Sequence, residues 1–591
     1  MGRAGDAARL LRHAGASLVV RLVVVELAVA AVPLGIIGAV GVVVGRVAGH
    51  ATMAGPLALL IALLLLQQAL GPLRANVAYR VTRRVDGAVR ALVMALANRP
   101  VGIAALEDAT ILDRLEIAGG VVDPFWSASP GGAAVGIIAL GGRYLQVVGA
   151  AVLVARLSVP VAVGLVSVTV FGYHRSRRWN RVRLRAVREN NLAGRASRYT
   201  SGLANTPPAA KEVRLFGVLD WLEDRFRGQW DEVVSARLTP WRWAATRVAV
   251  LIVGGFPVVA VGFVAAGRTA SERGLGARTV AVGLQAAVAF FTLLFDQRQD
   301  DAYQVDFGLE ALDTLRALES AMDDVDSRGT IDAAGLPRLS IRFEQVRFAY
   351  PGSEREVFVA LDLTIAAGTS VAIVGVNGAG KTTLIKLLAG LHEPQGGRIL
   401  ADDVSLRELD VVSWRRRLAV IFQDFVRYEL PAADNVGFGS VDHLDDVAAR
   451  ERAAARAGAS DLIERLPSGW ATPLNRQYRG GADLSGGQWQ RIALARALTA
   501  VEAGAGVLVL DEPTANLDVR AEAALFDDFL DLTRGLTTIL ISHRFSTVRH
   551  ADRICLLEDG LVVEDGSHDE LMAAGGRYAE LFGLQAQRFR E

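Results

Sequence analysis

The stretch that most constrains what this chain can fold into is GVNGAGKTT, from Gly375 to Thr383. It follows the apolar run Val371–Val374 and precedes Leu384–Leu388. That order predicts a buried strand, a glycine-rich turn and an amphipathic helix. The glycines let the backbone curl until successive N–H groups point inward, making a nest for phosphate oxygens at a helix N-terminus. Gly375, Asn377, Gly378, Ala379, Gly380, Lys381, Thr382 and Thr383 would line it. Lys381 brings positive charge to the β- and γ-phosphates, and the Thr382 hydroxyl can ligate Mg²⁺. The pattern G-x-x-x-x-G-K-[ST] in this context implies a bound nucleoside triphosphate.

The rest of the chain must accommodate more than that domain. At 591 residues it is too long for one core. A mean hydropathy of +0.30 and 51% hydrophobic residues point to membrane segments. The net charge of +1 gives no global basic field, so nucleic acid is not an expected partner. Arginine outnumbers lysine heavily; the lysines are Lys211, Lys381 and Lys386. The single cysteine, Cys555, excludes an intrachain disulfide and a multi-cysteine metal site. Its apolar surroundings read as inert core.

Six apolar stretches precede residue 300: about 18–47, 56–73, 133–154, 159–173, 246–266 and 280–295. Each approaches the length needed to span a hydrocarbon core of about 30 Å, the fourth being short. The first is too long for a signal-peptide core and reads as a retained anchor. Arginines crowd two connections: Arg74, Arg80, Arg83, Arg84, Arg90, Arg99 and Arg114 in one, and Arg175 to Arg198 in the other. The turn between the third and fourth spans offers only Arg156. Positive-inside bias therefore places both long segments, both termini and the C-terminal half in the cytoplasm. Each long segment carries a turn-flanked patch, Glu107–Arg114 and Glu212–Val218, the second preceded by Pro207-Pro208. Each patch reads equally as a solvated helix or as a contact for another domain. Polar residues inside the spans, namely Glu26, Gln67, Gln68, Arg143, Gln146 and Gln285, are costly unless they face a cavity or a partner. They fit either a substrate path or bridges between helices, the bridging role being the simpler.

Beyond a polar stretch ending in Gly335-Leu336-Pro337, the chemistry concentrates. Gly506–Leu510 is an apolar strand that ends in Asp511-Glu512. Asp511 is placed to hold Mg²⁺, and Glu512 to orient and deprotonate an attacking water. Upstream, Leu484-Ser485-Gly486-Gly487-Gln488 opens the helix Trp489–Leu498, and a hydroxyl and two glycines at a helix start make a second anion-binding terminus. With LSGGQ between the two nucleotide motifs, the chain resembles the ABC transporter ATPases.

That resemblance implies roles for further residues. Tyr350 matches the aromatic that stacks on adenine, and Gln423 the glutamine that touches Mg²⁺ and water. Asp518 falls in the Ala515-Asn516-Leu517-Asp518 motif, and His543 matches the switch histidine at the γ-phosphate. Ser485, Gly486, Gly487 and Gln488 would complete the site of a facing ATPase domain. One departure stands out: the glutamate that exporters of this family often carry shortly before LSGGQ is missing from Gln477–Asp483.

The layout resembles exporter-type (type IV) half-transporters. It implies an all-α six-helix transmembrane domain over 1–330, a linker over 331–338 and an α/β P-loop ABC ATPase domain over 339–591. ATP and Mg²⁺ are the implied cofactors, and the two patches the implied coupling helices, the second docking on the partner's ATPase near Gln423. A homodimer or a heterodimer with a second half-transporter is implied, multi-pass in the plasma membrane among its lipids. Export of a lipid, peptide, drug-like molecule or natural product is the expected activity. Import of a siderophore-like ligand, or a membrane-bound regulatory ATPase, are the alternatives. Because the first span opens near residue 18, no peptidase domain is expected ahead of it.

Overall fold

The structure is a computed structural model that describes residues 3–119, 129–171, 191–235, 274–295, 299–323, 329–512, 535–542 and 548–588, with isolated positions between 178 and 272. The chain divides into two compact units, Met1–Asn98 with Ala109–Ala321, and Arg99–Asp108 with Met322–Glu591.

Every regular element among the described residues of the first unit is a helix. Three of its helices are long and apolar enough to cross a membrane: Ala16–Ala48, Ala54–Ala97 and Pro130–Ala155. The fourth and sixth expected spans are the shorter apolar helix Val159–Phe171 and the helix Ala277–Phe295. The fifth, about 246–266, lies outside the described stretches. Helix Ala16–Ala48 packs against Ala54–Ala97, Pro130–Ala155 and Ala277–Phe295. Five of the six polar residues inside the spans separate into two groups, and the sixth, Gln285, is half-buried on the helix Ala277–Phe295. Glu26 is buried and forms a 2.6 Å ion pair with Arg74, which also lies 3.5 Å from Asp301. Gln146 donates to the carbonyl of Val29 at 2.9 Å, and Arg143 lines the same small cavity. These bonds tie four helices together, which is the bridging role for Glu26 and Gln146. Gln67 and Gln68 are exposed.

The second unit is built on ten strands among the described residues: β1 (Ser340–Ala349), β2 (Glu356–Ala366), β3 (Ser370–Val374), β4 (Gly396–Ala401), β5 (Val404–Ser405), β6 (Leu418–Ile421), β7 (Val507–Asp511), β8 (Thr537–Ile541), β9 (Arg553–Glu558) and β10 (Leu561–Gly566). One sheet has the order β2-β1-β4-β5 and is antiparallel. The other has the order β10-β9-β3-β8-β7-β6, parallel except for β10. Its central strands β3, β8 and β7 are buried without alternation because both faces are covered. On β3, Ala372 and Val374 join one core while Val371 and Ile373 join the other. On β7, Leu508 and Leu510 divide from Val507 and Val509 in the same way. Cys555 sits within β9 in the second of these cores, where burial pushes its thiol up to about 12, so it is an unreactive core residue at neutral pH.

Residues 331–338, expected as a linker, are tied into this unit. The N–H of Ile331 donates to Glu408 at 3.0 Å, that of Ala333 to the Ser413 hydroxyl at 2.9 Å, and Arg417 reaches the Leu336 carbonyl at 2.8 Å. Ala333 is fully buried. The backbone of this stretch finds its partners on a surface some 80 residues away in sequence.

Candidate active site

The parallel order of the large sheet brings the C-terminal ends of β3, β8 and β7 side by side, and open α/β sheets place ligands at that edge. β3 runs into the glycine-rich turn and then the helix Lys381–Leu388. The N-cap, Gly380, has φ +101°, and a Cβ there would sit 2.8 Å from the Phe358 ring. Both facts require glycine. No side chain caps this helix. Its first N–H groups therefore face the turn without a side-chain acceptor, the arrangement that suits an anion.

Lys381 is buried, with its ammonium on the carbonyls of Gly375 and Val376 at 2.9 and 3.0 Å. Burial pushes its pKa down, against the pull of Glu512 and Asp511. The Thr382 hydroxyl donates to Asp511 Oδ2 at 2.9 Å across 129 positions of sequence. Asp511 is almost fully buried at the end of β7. Burial raises its pKa, with Glu512 and Asp424 adding to the rise, while the Thr382 hydrogen bond and Lys381 oppose it.

Glu512 follows with φ +47°, a left-handed conformation for a residue with a Cβ. Such strain, of order 1–3 kcal/mol, is held where the surroundings enforce it. Here the Glu512 N–H is fixed to the Ile541 carbonyl of β8 at 3.0 Å. Its carboxylate accepts from the Gln423 amide at 2.9 Å. Lys381, Thr382, Gln423, Asp511 and Glu512 thus meet at one sheet edge.

The second expected anion-binding terminus is built differently. Ser485 caps the helix Gly486–Glu502 in a capping box: its hydroxyl accepts from Gln488 N at 3.4 Å, and the Gln488 side chain accepts from Ser485 N at 2.8 Å. Two of the residues offered to a phosphate therefore also satisfy each other. The loop before it, which lacks the family's glutamate, closes on itself through an Arg476–Asp483 ion pair at 2.9 Å. Asp518 and His543 lie outside the described residues.

Tyr350, half-buried at the end of the first sheet, hydrogen-bonds Thr383 Oγ1 at 3.0 Å. It is flanked edge-on by Phe348 and His392, and the Lys386 ammonium lies 5.2 Å from its ring centroid. Lys386 and His392 were passed over in the sequence. The signal available was rarity, since Lys386 is one of three lysines in an arginine-rich chain. Of the two turn-flanked patches, the head of the first, through Asp108, belongs to the second unit. The second forms the short helix Ala210–Leu215, with Leu215 and Phe216 79% and 69% exposed.

Residues 358–515 match the ABC transporter family. The chain carries an ABC transporter ATPase domain. That domain binds ATP, which is what the glycine-rich turn and Lys381 are built to hold. Over 282 residues the chain is 41% identical to the ATP-dependent lipid A-core flippase of Bordetella pertussis (strain Tohama I), covering 47% of this chain and 44% of that protein. Over 312 residues it is 38% identical to the mycobactin import ATP-binding/permease protein IrtB of Mycolicibacterium thermoresistibile, covering 51% and 52%. The matches span about half the length of these curated relatives. A solved structure of a bacterial Atm1-family ABC exporter with ATP bound superposes with a TM-score of 0.71 at 23% identity, covering 96% of this chain and 98% of that one. The chain therefore shares the fold of that solved structure, a helical N-terminal region with apolar helices followed by an α/β ABC ATPase domain. The chain is an integral membrane protein.

Proposed function

We propose that this ABC protein is an ATP-driven exporter that works as a dimer by alternating access. The observation that carries the reading is the meeting of Thr382 with Asp511 and of Gln423 with Glu512 at one sheet edge, in a chain that also bears membrane-length apolar helices. The first pair offers a hydroxyl and a carboxylate, and the glutamine amide a third oxygen, a hard donor set suited to Mg²⁺. Among the described residues no cluster of three or more His, Cys, Asp or Glu side chains forms a metal cage. That fits an ion held by few protein ligands together with phosphate oxygens and water. Thr382, Asp511 and Gln423 would hold it. Bound there, Mg²⁺ would neutralise charge on the β- and γ-phosphates.

Lys381 and the turn N–H groups then hold the triphosphate. Glu512 accepts the proton of the attacking water, and the Gln423 amide keeps that carboxylate aimed. Tyr350 provides a ring for adenine. His543, two residues beyond β8 in sequence, is the proposed contact to the γ-phosphate, and Asp518 of the Ala515–Asp518 motif is a further proposed residue of the nucleotide site. The partner subunit's Ser485, with Gly486, Gly487 and Gln488, closes the site from the opposite side. Two ATP molecules would draw the ATPase domains together and turn the membrane helices outward. Transport follows only if the substrate binds the two states unequally. The exposed Leu215–Phe216 patch is suited to docking on the partner's ATPase.

The positive charge on the two long connections supports cytoplasmic ATPase domains and termini. The candidate substrates are a lipid, a peptide or another amphiphile. The name of the flippase relative supports a lipid, and the name of the importer relative supports a second reading, uptake of a siderophore-like ligand. Inside-out vesicles decide between them. With ATP supplied outside, an exporter accumulates labelled substrate in the lumen, and an importer empties a preloaded lumen. ATP hydrolysis with neither movement, across lipids, peptides and siderophores, would leave only the regulatory ATPase.

A further inference from the structure

Arg99–Asp108 is continuous in sequence with the membrane helix Ala54–Ala97 but packs as part of the ATPase unit. It is seated on the far end of the phosphate-loop helix. The Ile103 N–H donates to the Leu391 carbonyl at 2.9 Å. A Cβ at Gly102 would lie 2.7 Å from that same carbonyl, so the backbones meet directly. The Arg415 guanidinium bonds the carbonyls of Ala389 and Gly390 at 3.0 and 2.8 Å and also that of Val101. The Trp414 indole closes the Leu388 carbonyl at 2.8 Å.

At the end of this segment stands Glu107. One of its oxygens lies 3.9 Å from Lys386 Nζ and the other 3.6 Å from His392 Nε2. His392 is buried, and that nitrogen has no hydrogen-bond partner among the described residues. Both groups that Glu107 faces are groups that hold Tyr350. The imidazole meets the Tyr350 ring edge-on at 5.4 Å and 86°, and the ammonium sits near the ring at 5.2 Å. An ammonium attracted to the aromatic ring and an imidazole edge against it fix the orientation of the ring.

We propose that Glu107 and His392 are positioning residues for the adenine subsite: seating of segment 99–108 on the ATPase unit sets the Tyr350 ring, so that seating and base binding are linked. This rests on the reading of Tyr350 as the adenine platform. The linkage is reciprocal, as any coupling between two binding events must be. ATP on a correctly set ring favours the seated segment. A seated segment favours ATP over a bare phosphate chain.

The test uses the full-length protein in lipid nanodiscs. Binding of ATP and of inorganic tripolyphosphate is measured by competition against labelled ATP. Glu107→Ala and His392→Ala should each weaken ATP about three- to tenfold, the size of one lost aromatic or cationic contact. Tripolyphosphate affinity should not change. KM for ATP should rise with kcat unchanged. In a Tyr350→Ala background neither substitution should cost anything further, because the three residues act as one unit. If Glu107→Ala does not fold, Glu107→Gln removes the charge at constant size and should give the same selective loss to a smaller extent. Equal loss for ATP and tripolyphosphate would overturn the proposal, since the segment would then only brace the phosphate-loop helix. Undiminished loss in the Tyr350→Ala background, or no loss at all, would overturn it as well. If Tyr350→Ala itself leaves ATP and tripolyphosphate unchanged, the platform reading fails instead.

Discussion

The two helix starts expected to share one triphosphate are opposites in construction. The phosphate-loop helix begins at a left-handed glycine with no side-chain cap, and the residues around it, Lys381 and Asp511, are buried and charged. The helix Gly486–Glu502 begins at an exposed serine whose hydroxyl and glutamine partner cap each other, with no charge in its first turn. The first start has burial, strain and electrostatics already in place and gains most from an anion. The second is complete by itself and can face solvent. In the proposed dimer this assigns the chemistry to one side and closure of the site to the other.

The largest effect that would test this division comes from the chemical side. Glu512→Gln should bind ATP normally and slow hydrolysis by about 10²–10⁴, the usual cost of removing a general base. Trapped nucleotide and phosphate release measure the two parts. Near-normal turnover in a homodimer would move the chemistry elsewhere.

The second test asks whether the two starts meet in trans. Lys381→Ala and Ser485→Arg homodimers should each fail to occlude ATP. A purified mixed dimer carries both lesions in one site and leaves the other wild-type. It should recover about one trapped nucleotide per dimer, because two opposed helix ends then enclose one triphosphate. Trapping no better than in either homodimer breaks the comparison.

A third test separates the sides by titration. Burial lowers the Lys381 pKa, so in the free protein its charge is lost at a lower pH than an ordinary lysine near 10.4 would lose it. ATP stabilises the charged form. Binding should therefore be strongest below the lowered value and weaken as pH rises through it, by at most about tenfold per pH unit. The slope should vanish in Lys381→Ala and persist in Ser485→Ala. Equal slopes in both would mean that Lys381 does not supply the charge.

The smallest effect belongs to the capped side. Ser485→Ala removes one N-cap, which costs about 1 kcal/mol. A drop of a few degrees in the Tm of the full-length protein, with ATP binding to isolated protomers unchanged, is the expected result. A larger loss of protomer binding would mean that the serine serves its own chain's nucleotide.

What the sequence alone determined was local. The nest at Gly375–Thr383 is written in nine consecutive residues, because glycines at fixed spacing decide where the backbone can turn. The apolar runs of β3, β7 and β8 carry their own burial on two faces, and the long apolar helices carry their membrane length. What the tertiary structure decided was which distant residues meet. Thr382 reaches Asp511 across 129 positions, and Gln423 reaches Glu512 across 89, because β7 and β8 fold back beside β3 in an order the sequence does not run in. The same holds for Arg74, which joins Glu26 and Asp301 through helix packing. It holds most for Glu107, which read equally as surface or contact in the sequence and lies in the structure against Lys386 and His392. A carboxylate shows its partner only when the chain closes a long loop, and the sequence around it records neither the closure nor the groups waiting there.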